Sequence, residues 1–151
     1  MNIFVLDTNP RLAAIHQCDK HIVKMPLETA QLLCSPFDNG TAPYRRTHYN
    51  HPSSVWARES INNYDWLITH GIHLCDEYTR RYGKTHKSLA VIYWCHDNKH
   101  LLNLPDIPLT PFKLAMPDEY KCDDAVTSYR NYYIYEKSRI ATWKANQPSW
   151  W

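Results

Sequence analysis

Four side chains able to bind or move protons share one stripe of a predicted helix. They are His21, Lys24, Glu28 and Gln31, within residues 19–33, DKHIVKMPLETAQLL. At about 100° per residue they stack along one line. An imidazole, an amine and a carboxylate together can supply a base, a nucleophile and a stabiliser of positive charge. Most of the remaining circumference is Ile22, Val23, Met25, Leu27, Ala30, Leu32 and Leu33. A surface helix shows one apolar stripe and a broad polar face. Here the proportions are reversed, which predicts a helix surrounded by protein with its titratable line facing a cleft. Burying such groups is costly unless they pair, and clusters of this kind are where perturbed pKa values and chemistry gather. The plainer reading is an ordinary i,i+4 ion pair between Lys24 and Glu28 beside a hydrogen-bonded core histidine.

The elements that must position this stripe follow from caps and breakers. Residues 1–7 read as a short strand or an extended lead-in. Asn9-Pro10 starts a helix, with Asn as cap and Pro in the first turn, and the apolar period carries it to about Cys34. Pro26 falls inside it, between Lys24 and Glu28, and removes one backbone donor. Residues 35–52 form a loop punctuated by prolines and Asn39-Gly40. Its end, YRRTHYNHP, holds Arg45, Arg46, His48, Asn50 and His51, the most basic loop of the chain. A long helix is predicted from about Ser53 to Tyr82, closed by Gly83 as a C-cap. Trp56, Tyr64, Leu67, Ile68, Leu74, Cys75, Tyr78 and Tyr82 recur on it at helical spacing. Arg58 lies near its start, where the macrodipole favours an anion rather than a cation. Residues 84–100 hold another helix with Leu89, Ala90, Ile92 and Tyr93 inward. Residues 102–112, with three prolines, cross the surface. Asp123 or Asp124 caps a last helix to about Trp143, and the final Trp150 and Trp151 dock on the body. With three glycines and few β-branched runs, tight hairpins are disfavoured. The expected fold is all-α: one helical domain over residues 1–151, built on a first helix with a polar stripe and a long second helix.

Composition narrows the function classes. Apolar residues make up 44% of the 151, which excludes a disordered chain. Seventeen basic against fifteen acidic side chains leave a formal charge of +2, so nucleic acid is neither demanded nor excluded. The twenty aromatic residues (six Trp, eleven Tyr, three Phe) fill a core or offer stacking faces for bases. Five scattered cysteines without a C-x-x-C pair read as reduced thiols of a cytoplasmic protein. No apolar run spans a membrane. His48/His51, His70/His73 and His96/His100 have metal-compatible spacing but no obvious third ligand, so no metal or other cofactor is expected.

Three segments carry a resemblance. CDKHIVK-x-x-LETAQLL, NHPSSVWARES and LCDEYTRRYGKTHKS together resemble the pyrimidine-dimer DNA glycosylase/endonuclease V superfamily, most closely its phage-type and bacterial relatives. The similarity is strongest over residues 3–88. It implies a small all-helical fold and a DNA-repair reaction in two steps: cleavage of a base–sugar bond, then strand scission at the abasic sugar. In the family's characterised enzyme a free N-terminal amine attacks C1′, and a glutamate on the first long helix stabilises the cationic intermediate. That glutamate follows a histidine by seven residues in a D-x-H pattern, which maps it onto Glu28 after His21. The characterised enzyme exposes a threonine amine and carries arginines on the active helix. Here residue 2 is Asn2 and the corresponding turn has Lys24, so the nucleophile is either the Met1 amine or Lys24. An α-amine, with a reference pKa of about 7.7–8.0, is readier at neutral pH than a lysine near 10.4.

Two readings follow. In the first, Glu28 stabilises charge, Met1 or Lys24 attacks, and His21 orients the site or shuttles a proton. Arg45, Arg46, Arg58, Lys84 and Lys87 contact DNA phosphates, while Asp19, Gln31, His48, Asn50, His51 and Trp56 complete the substrate-binding set. In the second, the same fold holds a small nucleotide, which it sequesters or hydrolyses.

Overall fold

Six α-helices carry the chain in the computed structural model, which describes residues 1–151: α1 Pro10–Ile15, α2 Asp19–Cys34, α3 Pro52–Arg58, α4 Ile61–Tyr82, α5 Ser88–Asn98 and α6 Ala125–Glu136. Short 3₁₀ turns lie at Lys99–Leu102 and Asp118–Tyr120, and there is no strand. The fold is all-α, as the periodicity and glycine count predict. No helix is long and apolar enough to cross a membrane.

Two predicted helices are each split in two. The first breaks at residues 16–18. The sequence offers no proline or glycine there; the break is held from outside by Arg81 of α4. Its guanidinium donates to the carbonyls of Ile15 (2.9 Å) and Gln17 (2.8 Å), and the Trp143 indole N–H takes the carbonyl of His16 (3.0 Å). Helix-end carbonyls need such partners when buried. The second predicted helix breaks at Glu59-Ser60. Ser60 is extended (φ −154°), and its Oγ accepts from Asn62 N–H as a new N-cap. The proline-rich 102–112 segment seals the corner: Ile61 N–H reaches the Pro105 carbonyl, and Thr110 Oγ1 donates to Glu59.

Helix α4 is the hub and packs against α1, α2, α3 and α5. Tyr64, Leu67, Leu74 and Cys75 of α4 are buried, and Gly83 closes the helix in the left-handed region (φ 68°). Gly71 lets its neighbours come close. A Cβ there would stand 2.9 Å from Thr29 Cγ2 of α2 and 2.9 Å from Ile92 Cδ1 of α5.

The residues 1–7 are extended but pair with no strand, and Ile3, Phe4, Val5 and Leu6 are buried. They run along α6, where Arg130 Nε donates to the Leu6 carbonyl. Phe4 meets Tyr129 and Tyr133 edge-on. Asp124 caps α6, which ends at Glu136 and not near Trp143. The tail docks as expected: Trp150 Nε1 donates to His16 Nδ1, and Trp151 packs on Trp143 at 4.7 Å.

Two facing assignments differ from the periodicity. On α5, Val91, Ile92 and Cys95 are inward while Ala90 and Tyr93 are exposed. On α2, Val23 and Leu27 are about two-fifths exposed, so the helix is not enclosed all round. One flank of the polar stripe is therefore open to solvent.

Candidate active site

The N-terminal lead-in brings residue 1 onto the polar stripe of α2. Asn2 anchors it: its Nδ2 donates to the Ala115 carbonyl at 2.8 Å, and its Oδ1 accepts from Ile3 N–H and the Tyr129 hydroxyl. These bonds fix the side chain to the scaffold at the edge of the cavity. The Met1 α-amine consequently sits 3.5 Å from Glu28 Oε1. Lys24 approaches the other carboxylate oxygen, Oε2, at 3.4 Å. The two amines differ in setting. The Met1 side chain is 4% exposed and the residue as a whole half-buried, whereas the Lys24 side chain is 70% exposed and reaches in from the rim.

These groups line a cavity of about 520 Å³. Its walls are Met1, Asn2, Phe4, His21, Lys24, Met25 and Glu28 on one side, His51 and Pro52 at the start of α3, and Leu114, Ala115, Met116, Tyr132 and Lys137 from the last third of the chain. The Met1 amine, Lys24 and Lys137 oppose one carboxylate, Glu28, so an unfilled cavity is cationic and suits an anionic ligand. A wider depression of about 660 Å³ between α4 and residues 106–109 is lined by Asp65 and Asp106 and holds no nucleophile or base pair. The chemistry is concentrated in the smaller one.

Both imidazoles of the cavity are neutral. His21 stacks face to face on Phe4 at 4.3 Å, and burial pushes its pKa down to about 3, helped by Lys137 and Lys24. Its Nδ1 hydrogen-bonds the Tyr133 hydroxyl. That hydroxyl also accepts from Cys18 N–H and donates towards Cys18 Sγ, so His21 is fixed at the hub of a buried polar contact. His51 is the N-cap of α3, with Nδ1 accepting from Ser53 N–H at 3.1 Å. Its pKa is lowered by burial first, then by the Met1 amine and His48.

Of the stripe read from sequence, His21, Lys24 and Glu28 converge with Met1 and His51. Gln31 does not line the cavity. Asp19 belongs to a buried network elsewhere, accepting from Arg81 Nη1 (3.1 Å), Thr142 Oγ1 (3.1 Å) and Lys144 N–H (3.0 Å). Trp56 is 1% exposed and donates to the Thr110 carbonyl, so it packs the core and offers no face to a base. Arg46 and Arg58 hold the basic loop together. Arg46 donates to the carbonyls of Ser35, Pro36 and Phe37, and both guanidiniums cover the faces of Tyr49, at 4.4 and 3.7 Å. Arg45, His48, Asn50, Lys84 and Lys87 are exposed outside the cavity. His70, from one of the metal-compatible pairs, is spent on the Pro10 carbonyl and Gln17, and no three His, Cys, Asp or Glu side chains converge anywhere.

Lys137, Tyr132 and Met116 are the residues that sequence reasoning missed. Tyr132 and Lys137 lie at the C-terminal end of α6, Lys137 as its C-cap. Nothing in the order of residues places that helix end beside Glu28, more than a hundred positions earlier.

The family model described as pyrimidine dimer DNA glycosylase matches residues 1–90 of this chain. No curated protein and no solved structure matches it. Residues 1–90 supply Met1, His21, Lys24, Glu28 and His51, while Leu114, Met116, Tyr132 and Lys137 lie beyond the matched span.

Proposed function

This chain belongs to the pyrimidine dimer DNA glycosylase family, and on that premise we propose that the cavity cleaves a base–sugar bond in DNA with the Met1 α-amine as nucleophile. The observation that carries this reading is the amine held 3.5 Å from Glu28 Oε1 inside a cavity. An amine held beside a carboxylate can attack and then pass a proton to that carboxylate.

The steps balance as follows. The amine lone pair forms an N–C1′ bond while the C1′–base bond breaks and the base leaves with the electron pair. Positive charge builds on the sugar, and the Glu28 carboxylate lies beside it. The resulting ammonium passes one proton to Glu28 and the departing base takes one from water; the nitrogen lone pair then expels O4′, which takes the Glu28 proton, leaving a protonated imine. Loss of a C2′ proton and cleavage of the C3′–O3′ bond cut the strand. Lys24, mostly exposed, is placed to pair with Glu28 and a backbone phosphate at the rim. His21, neutral and wedged between Phe4 and Tyr133, holds the floor of the site. A flipped nucleotide fits the cavity by volume, and Tyr132 offers it a ring. Arg45, Lys84 and Lys87 are free for phosphates further out.

Borohydride trapping on a duplex with one abasic site tests the reading. A covalent adduct whose cross-linked peptide begins at Met1 is expected. Absence of any adduct, or an adduct confined to Lys24, sinks the assignment of the amine. The cavity's size and cationic lining also favour a second reading, capture of a free nucleotide. A thermal shift with a nucleoside monophosphate, without DNA binding, would select it.

A further inference from the structure

His51 is a cavity imidazole whose hydrogen-bonding state is set by the backbone. Its Nδ1 accepts from Ser53 N–H and caps α3, so in the neutral ring the proton must sit on Nε2. The ring lines the cavity, and Nε2 has no protein partner. Protonating the ring would place a hydrogen on Nδ1 and eject the cap, so the arrangement resists conversion to imidazolium. The Met1 amine and Glu28 are among the charges that act on this ring, whereas His21 responds to Lys137 and Lys24. His21, by contrast, is tied through Nδ1 to the Tyr133 hydroxyl and stacked on Phe4.

The proposed reaction creates two anions at the carbon the amine attacks, the departing base and the ring oxygen O4′; on an abasic site only O4′ remains, when C1′–O4′ breaks. Among the wall groups the amine and Lys24 are engaged with Glu28, and Lys137 lies 4.7 Å over the Tyr132 ring. Asn2, also on the wall, donates through Nδ2 to the Ala115 carbonyl, which leaves the oriented Nε2–H of His51. We propose that His51 Nε2–H is a catalytic hydrogen-bond donor that stabilises negative charge developing on the sugar-ring oxygen, without itself giving up the proton. The proton that O4′ finally takes comes from Glu28, which received it from the amine, so the balance needs no other donor. Fixed dipoles aimed at developing charge act in this way at little reorganisation cost. This inference rests on the glycosylase/lyase reading.

His51→Asn separates this role from capping. Asn is among the best N-caps, so its side-chain oxygen keeps the Ser53 N–H satisfied, but nothing replaces Nε2–H. The expected result is a single-turnover trapping rate on abasic duplex lower by about 100-fold, with the affinity for the same duplex and the melting temperature unchanged. A rate equal to wild type overturns the inference, and so does a loss confined to affinity. If wild type traps and H51N traps equally well, only the role of His51 fails. If wild type forms no adduct, the reaction itself is wrong and the role falls with it. Independently, long-range ¹⁵N–¹H correlation on the intact protein reports the tautomer. An Nε2-protonated His51 is expected; an Nδ1-protonated ring overturns the inference.

Discussion

Glu28 meets two amines at 3.5 and 3.4 Å, one at the backbone of a residue whose side chain is 4% exposed, the other on a lysine that is 70% exposed. That difference makes the residue-scale predictions asymmetric. Glu28→Gln keeps the shape and removes the charge, so adduct formation should fall by about 100-fold or more while DNA binding persists. Lys24→Ala should leave the adduct mass and its Met1 location intact. It should change stability by less than about 1 kcal/mol, as for an exposed ion pair; urea melts check this. The spacing of His21, Lys24 and Glu28 was readable because a helix repeats every 3.6 residues. The anchoring of residue 1 was not, because Asn2 is held by Ala115 and Tyr129. Lys137 was invisible for the same reason: it is a cation whose relevance depends wholly on where α6 ends.

Helix caps are local chemistry, and the chain spelled most of them correctly: Asn9, Gly83 and Asp124 stand where the sequence places them. The breaks at residues 16–18 and 59–60 are tertiary. An arginine 64 positions away supplies the partner for the Gln17 carbonyl. Without such partners the apolar period alone extends each helix through its break. Gly71 gives a sharp test at this scale. In an exposed helix interior, Gly→Ala would stabilise by about 1 kcal/mol. Here the added methyl would meet Thr29 and Ile92 at 2.9 Å. Overpacking of a tight core costs about 1–3 kcal/mol, so Gly71→Ala should destabilise on balance. A raised urea midpoint would contradict the packing of α4 between α2 and α5.

Across the whole molecule, two buried neutral histidines couple stability to pH. Burial holds His21 down to about 3 and His70 down to about 4, against 6.5 for the free side chain. Between pH 6.5 and about 4 the unfolded chain binds these protons and the native chain does not. Stability therefore rises with pH across that window, is fully present above 6.5, and is progressively lost on acidification. His70 alone accounts for roughly 3 kcal/mol of that loss. His70→Gln should flatten the slope of unfolding free energy between pH 6.5 and 4; an unchanged slope would mean the ring is not held neutral. By itself the sequence determined the helical class, most of the caps, and the line His21–Lys24–Glu28, because these depend on contacts within one or two helical turns. The tertiary structure alone decided which amine meets Glu28, which arginines are structural, and that a lysine from the last helix faces the first long one. Such facts depend on loop closure between distant segments, and short-range spacing carries no record of it.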